Sequence, residues 1–413
     1  MIKLNTNEIS FALITLAYWF FMLTDGALRM LVLLHFHVLG YTPLQLAYLF
    51  LLYEFLGMIT NLGAGWIAKK FGLNTTLFAG IILQTFSLMI LTQLDQTWST
   101  TLSVIFVMLT QGLSGIAKDL TKMSAKSSVK LLSPNKNSKL FKLVSLMTGS
   151  KNAVKGFGFL TGALLLSFTS FETSLIIMAL ILALMFILLL INLKTNISEV
   201  NKKSKFSEVF SKNKDINYLS LGRVFLFGSR DTWFVVGLPI FLYSALSDGS
   251  LDGNKKAFFI IGTFMAAWTV FYGLVQAITP KILSKDKSFS KQTKFWAGFL
   301  TAIPLLLISF NYYFEEYSIY NVTFLLFMFG FVFAINSSIH SFLILNYTNK
   351  NRVTLDVGFY YMSNAFGRLI GTLLSGLAFQ YGGFTMCLFI TSILLLLNTV
   401  SYTHLTLPTI AIV

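Results

Sequence analysis

Twelve separate runs of mostly apolar residues, each near the length that crosses a lipid bilayer, constrain this chain more than any other feature. They cover residues 9–34, 44–65, 75–93, 101–121, 142–167, 173–193, 216–245, 256–279, 295–311, 319–345, 354–380 and 383–400. A helix needs about 20 such residues to span the hydrocarbon core. Backbone polar groups there must be satisfied within the protein, so each run is expected to be a helix. The chain is 55% hydrophobic and 11% charged, with a mean hydropathy of +0.73. Soluble domains carry roughly a quarter charged residues. The expected fold is an all-α membrane protein of twelve transmembrane helices. Its 42 Phe and 28 Gly suit lipid-facing bulk and close helix contacts.

A net charge of +15 raises nucleic acid as a partner, but the placement of the charge points to topology instead. The even-numbered connections between spans hold 22 of the 31 basic residues, while the odd ones hold only Lys255 and Lys256. Loops rich in Lys and Arg stay cytoplasmic, so the even loops and both termini are expected inside the inner (cytoplasmic) membrane. No nucleic acid partner is expected; the bilayer is. Residues 1–8 contain Lys3 but no small-residue cleavage site, so the first run reads as a true span. The lone Cys387 excludes an internal disulfide or a cysteine metal cluster. His35 and His37, two apart on a helix, diverge and make no metal site. The absence of a Walker loop and of a nucleophile–base constellation argues against ATP-driven transport by this chain and against an enzyme. No cofactor is expected, and the chain is expected to be a monomer.

The one long polar segment near the middle, residues 194–215, leaves six spans on either side. The expected organisation is an N-terminal half (1–193), a basic cytoplasmic linker (194–215) and a C-terminal half (216–400). FMLTDGALRMLVLLHF in the first span lines up with FGSRDTWFVVGLPIFL in the seventh, which sets Asp25 opposite Asp231 at an offset of 206 residues. Two six-helix halves resemble the layout of the major facilitator superfamily, whose halves are parallel repeats rocking about a midplane site. GWIAKKFGL at residues 65–73 resembles that family's loop motif through Gly65, Lys70 and Gly72, with Lys69 and Leu73 departing from it.

Charges at span depth mark sites, because an ionisable group in the membrane is costly and usually faces a wet cavity. Six cations qualify: Arg29, Lys151, Lys155, Arg223, Arg230 and Arg368. Against them stand three acids, Asp25, Glu54 and Asp231, expected to be charge partners or carriers of a coupling proton. Three carboxylates cannot neutralise six bases, so the cations are expected to bind an anion. Asp25 and Arg29, four apart, share a helix face and are expected to pair or to serve the cavity. Arg230 and Asp231, as sequence neighbours, are expected to point apart, and Glu54 lacks a local partner. Arg29 and Arg230, one per half, are expected to clamp a dianion. Lys118, Lys122, Lys126 and Lys130 form a stripe read either as interfacial snorkelling or as a basic funnel for anions.

Several long runs carry a narrower resemblance: LTDGALRMLVLLHF, GYTPLQLAYLFLLYEFLGMITNLGAGWIAKKFGL, SGIAKDLTKMSAKSSVK, TGSKNAVKGFGFLTG and FLFGSRDTWFVVGLPIFLY. Together they resemble the organoarsenical efflux permeases that export 1-arseno-3-phosphoglycerate. The resemblance covers most of residues 8–280 and continues more weakly to about 400. It implies export of an adduct formed when a glyceraldehyde-3-phosphate dehydrogenase uses arsenate, hence arsenate resistance and a functional partnership with that dehydrogenase. Arginine forks suit such tetrahedral oxyanions. The alternative is an organophosphate or other small-anion exchanger; a receptor or enzyme subunit would need a soluble effector segment. The end of the chain, SYTHLTLPTIAIV, resembles translated sequencing-adapter strings, so residues 401–413 are expected to be a non-native tail.

Overall fold

The computed structural model describes residues 6–95, 97–132, 137–193, 210–211, 213–283, 289–314, 316, 318–348 and 353–405. Residues 194–209 and 212 of the linker lie outside them, as do residues 406–413, the packing of Gly65 and the side chains of Lys69, Lys70, Lys126 and Lys130. The helices are α1 (Thr6–Val38), α2 (Pro43–Phe71), α3 (Leu73–Leu91), α4 (Thr100–Leu132), α5 (Asn137–Phe168) and α6 (Phe171–Asn192). There follow α7 (Lys214–Phe234), α8 (Gly237–Leu246), α9 (Leu251–Ile282), α10 (Phe289–Tyr313), α11 (Ser318–Tyr347) and α12 (Val353–Ser401). Among the described residues, ten stretches are long and apolar enough to span a membrane. One of them, Asp356–Ser401, runs 46 residues and holds two spans. With α5, which carries Lys151 and Lys155, the expected twelve are accounted for.

Two interruptions carry the detail. α12 breaks at Gly382 (φ −151°) and Gly383 (φ +61°), where the sequence places the boundary between the last two spans. The positive φ is glycine's region, so Gly383 lets the chain turn there. The seventh span, expected to run unbroken over 216–245, is instead α7 and α8 separated at Val235 and Val236. Pro239 supplies no N–H to an upstream carbonyl and disfavours helix in the preceding turn. Ser375 Oγ accepts from the amides of Val236 and Gly237, both at 3.1 Å, and so satisfies the donors that the break exposes.

The chain divides into two compact units. One comprises Met1–His35, Leu52–Ser207 and Phe258–Ala266; the other comprises Phe36–Leu51, Glu208–Ala257 and Ala267–Val413. In the first, α3 packs on α4 and α6, and α5 touches both of those. Glycines bring α5 against α1: a Cβ at Gly158 would lie 3.0 Å from Gly26 Cα and closer still to the Leu23 carbonyl oxygen. In the second, α12 runs along α7 and also contacts α8, α10 and α11. The corresponding approach there is Gly371, whose Cβ would lie 2.5 Å from the Gly228 carbonyl oxygen. The second unit also holds a fully buried aromatic core in which Trp233, Trp268 and Phe329 meet edge to face. Outside the membrane, α9 starts from a Ser250 cap on the Gly253 amide. Asp248 accepts from the Ser250 hydroxyl and amide, which holds its carboxyl below the usual range.

Candidate functional site

Close approach of α1 and α5 sets Asp25 beside Lys155. Lys155 Nζ donates to Asp25 Oδ2 at 2.6 Å, and Tyr53 of α2 donates its hydroxyl to Oδ1. Arg29, one turn on from Asp25, reaches α2 instead, where Nη2 meets Glu54 Oε1 at 2.8 Å. Of the two alternatives, pairing with one another is corrected: each residue finds a partner on another helix, and Glu54, fully buried, is Arg29's. The count of three acids is corrected too. Asp119 on α4 is also fully buried, paired with Lys122 and 3.8 Å from Lys118. Lys122 donates to Asn61 Oδ1 at 2.6 Å, while Lys118 lies 4.0 Å from the centre of the Tyr53 ring. Lys118 is thus buried rather than snorkelling, and Lys151 is half-buried. Each of the three buried carboxylates, Asp25, Glu54 and Asp119, has at least one cation beside it.

The second unit is built differently. Arg230 and Asp231 do not point apart, as neighbours on an ideal helix would. Arg230 folds back, and its Nε and Nη2 both donate to Asp231 Oδ1, the former at 2.6 Å. Arg368 of α12 donates Nε to the other oxygen, Oδ2, at 3.2 Å. One carboxylate, 1% exposed, is bracketed by two guanidiniums. The rings of Phe227, Phe333 and Phe234 stand 4.9, 5.6 and 5.9 Å from the Arg230 guanidinium and fix its plane. Phe227 lies four residues after Arg223 and three before Arg230, so all three share a face of α7.

Arg223 is 4% exposed and has no carboxylate partner among the described residues. Neutral groups hold it. Nη1 donates to Ser337 Oγ at 3.1 Å and to the Ser337 carbonyl at 3.3 Å. Asn364, in the amide orientation that satisfies both groups, accepts from Nε and Nη2 at 3.1 and 3.2 Å. Ser337 also accepts from Gln276 at 3.2 Å, and Gln276 donates to Tyr272 at 2.7 Å. Arg230 and Arg368 thus share the carboxylate of Asp231, while Arg223 is held by neutral groups.

The halves repeat the theme. An acid on the first span of each half (Asp25, Asp231) pairs with a base on the fifth (Lys155, Arg368), and three residues after each base comes the close-approach glycine (Gly158, Gly371). Sequence reasoning missed Asp119, Tyr53, Ser337 and Asn364. Asp119 sits inside the fourth apolar run, but the lysines around it give that stretch an interfacial look; the neutral partners carry no sequence signal of their own. His35 stacks on Phe171 and His37 lies edge-on to Tyr243, so the two diverge.

A bundle of membrane-spanning helices in two repeated halves, with buried charges at span depth, is the architecture of a secondary transporter. The Major Facilitator Superfamily family model matches residues 14–354, and the chain belongs to that family. It is a multi-pass membrane protein that transports small substrates and is not an enzyme. No curated protein matches the chain. Among solved structures it is similar to a POT family transporter in complex with 5-aminolevulinic acid, with a TM-score of 0.72, 15% identity and 94% of each chain covered. A POT family transporter with a thioalcohol-conjugated peptide gives a TM-score of 0.69 at 15% identity, again with 94% of each chain covered. A bacterial homologue of the iron transporter ferroportin, in an outward-facing state, gives 0.65 at 15% identity, covering 97% of this chain and 99% of that one. These likenesses concern the fold.

Proposed function

We propose that this transporter exports a small, multiply charged organic anion, an arsenylated three-carbon phosphate (1-arseno-3-phosphoglycerate), by alternating access, and so confers arsenate resistance. The observation that carries the reading is the surplus of guanidinium over carboxylate around α7: Arg223, Arg230 and Arg368 against Asp231. A transporter of neutral or cationic substrates gains nothing from a buried positive excess, which costs free energy unless an anion offsets it. Paired arginine forks match tetrahedral oxyanions, and the substrate carries one at each end. Long runs resembling the organoarsenical permeases supply the narrower identity. In a cell that is negative inside, the membrane potential favours exit of such an anion by about 2.3 kcal/mol per charge per 100 mV. The substrate is made by a glyceraldehyde-3-phosphate dehydrogenase acting with arsenate, which is the functional partner. The protein resides in the inner membrane with both termini and the 194–215 linker cytoplasmic, and Lys118, Lys122, Lys126 and Lys130 lie toward the entry side.

The test is arsenate resistance in a sensitive host producing this chain, the dehydrogenase, or both. Resistance is expected only when both are present. Equal resistance from the dehydrogenase alone would refute the arsenical reading.

A further inference from the structure

The arginine pair at α7 and α12 already holds an anion: Asp231. Both donors of one edge of Arg230 close on Oδ1, and Arg368 closes on Oδ2. That is the arrangement in which a phosphate presents two oxygens to two guanidiniums. We propose that Asp231 is a resident counter-anion that occupies the oxyanion-binding position of the empty transporter. Arrival of a phosphate-class group displaces it from Arg230 and Arg368, and its return helps release the cargo. This deepens the reading given above and rests on it for the cargo, though not for the oxyanion chemistry.

Three observations support the exchange. Asp231 offers a single negative charge to two guanidiniums, and a dianion offers two. The Arg368 contact, at 3.2 Å, is longer than the 2.7–2.9 Å usual for a charge-assisted bond, so this side of the bracket is the weaker one. Arg230 is boxed by three phenylalanines and keeps its orientation whichever anion it holds. The first half carries a counterpart, in which Lys155 of the fifth span and Tyr53 of the second hold Asp25 of the first. A carboxylate kept solely for packing would need one base; Asp231 meets two, and the one on α12, Arg368, joins α7 to α12.

The experiment measures phosphate-induced thermal stabilisation and phosphate affinity of the full chain purified in detergent, using inorganic phosphate and 3-phosphoglycerate as probes. Asp231→Asn removes the competing charge while keeping the shape. It is expected to bind both probes at least tenfold more tightly than wild type and to show a larger thermal shift, yet to turn over more slowly in vesicles. Asp231→Glu, which keeps the competing charge, is expected to bind both probes less tightly than Asp231→Asn. Should Asp231→Asn protein be unstable as purified, phosphate is expected to restore it, because the probe supplies the missing anion. Unchanged or weaker phosphate binding by a folded Asp231→Asn protein would overturn the proposal, as would instability that phosphate does not relieve. If Asp231→Asn binds inorganic phosphate tightly but neither protein responds to 3-phosphoglycerate, the resident-anion role stands and the three-carbon cargo is wrong.

Discussion

Arg29→Leu is expected to deplete the protein from the membrane, and Arg29→Leu/Glu54→Leu to restore it. Glu54 is fully buried, and its Oε1 bonds to Arg29 Nη2 at 2.8 Å. Removing one member of a buried ion pair leaves the other charge uncompensated, which costs about 3–5 kcal/mol, whereas replacing both by apolar groups is often neutral or stabilising. A loss of that size approaches the whole stability of many domains. Membrane abundance and thermal stability of the two singles and the double form a cycle, with a coupling of several kcal/mol expected. Independent behaviour of the two substitutions would mean that the pair is not what holds α1 to α2.

Arg230→Gln and Arg368→Gln are expected to behave in the opposite way. Each removes one of two guanidiniums from a single carboxylate, so Asp231 keeps a partner and no charge is stranded. The variants should insert at near wild-type levels with at most a modest loss of stability, largest for Arg230 because it also leaves its phenylalanine box. Transport should fall sharply. A hydrogen-bonded charge contact to substrate is worth about 2–5 kcal/mol, and each 1.4 kcal/mol is about a factor of ten, so losses of at least 30-fold are expected. Arg230→Lys keeps the charge but loses the fork, and should fall between these and wild type. Initial rates of uptake into inside-out vesicles, normalised to membrane protein, are the measure. Full transport by both Gln variants would assign these arginines to packing.

The contrast between those two predictions was only partly legible in the sequence. The spans were readable because twenty consecutive apolar residues have few other uses, and the Gly382–Gly383 break because paired glycines free the backbone. The break at Val235–Val236 was not read, since Val is no helix breaker and the cause, Pro239, lies downstream of it. Which charges matter was visible from depth alone, and Asp25, Glu54 and Asp231 were found that way. Which charges pair was not. The i, i+4 rule joins Asp25 to Arg29, but α2 and α5 offer Tyr53, Glu54 and Lys155 at closer range once the helices pack. Arg230 and Asp231 illustrate the converse: a long side chain folds back where Phe227, Phe234 and Phe333 wall it in. Asp119 escaped notice because lysines flank it and made the segment look interfacial. Its full burial in α4 is a tertiary property.

The most direct test of the central claim is uptake of 1-arseno-3-phosphoglycerate, generated in place by the dehydrogenase from glyceraldehyde-3-phosphate, arsenate and its nicotinamide cofactor, into inside-out vesicles containing this protein. Arsenic retained in the lumen is followed against vesicles lacking the protein. The account predicts retention that requires the dehydrogenase, arsenate and the transporter together, is competed by excess 3-phosphoglycerate, and drops at least 30-fold in Arg368→Gln vesicles. Retention that needs no dehydrogenase, or is unaltered when Arg230 and Arg368 are both replaced, would contradict it.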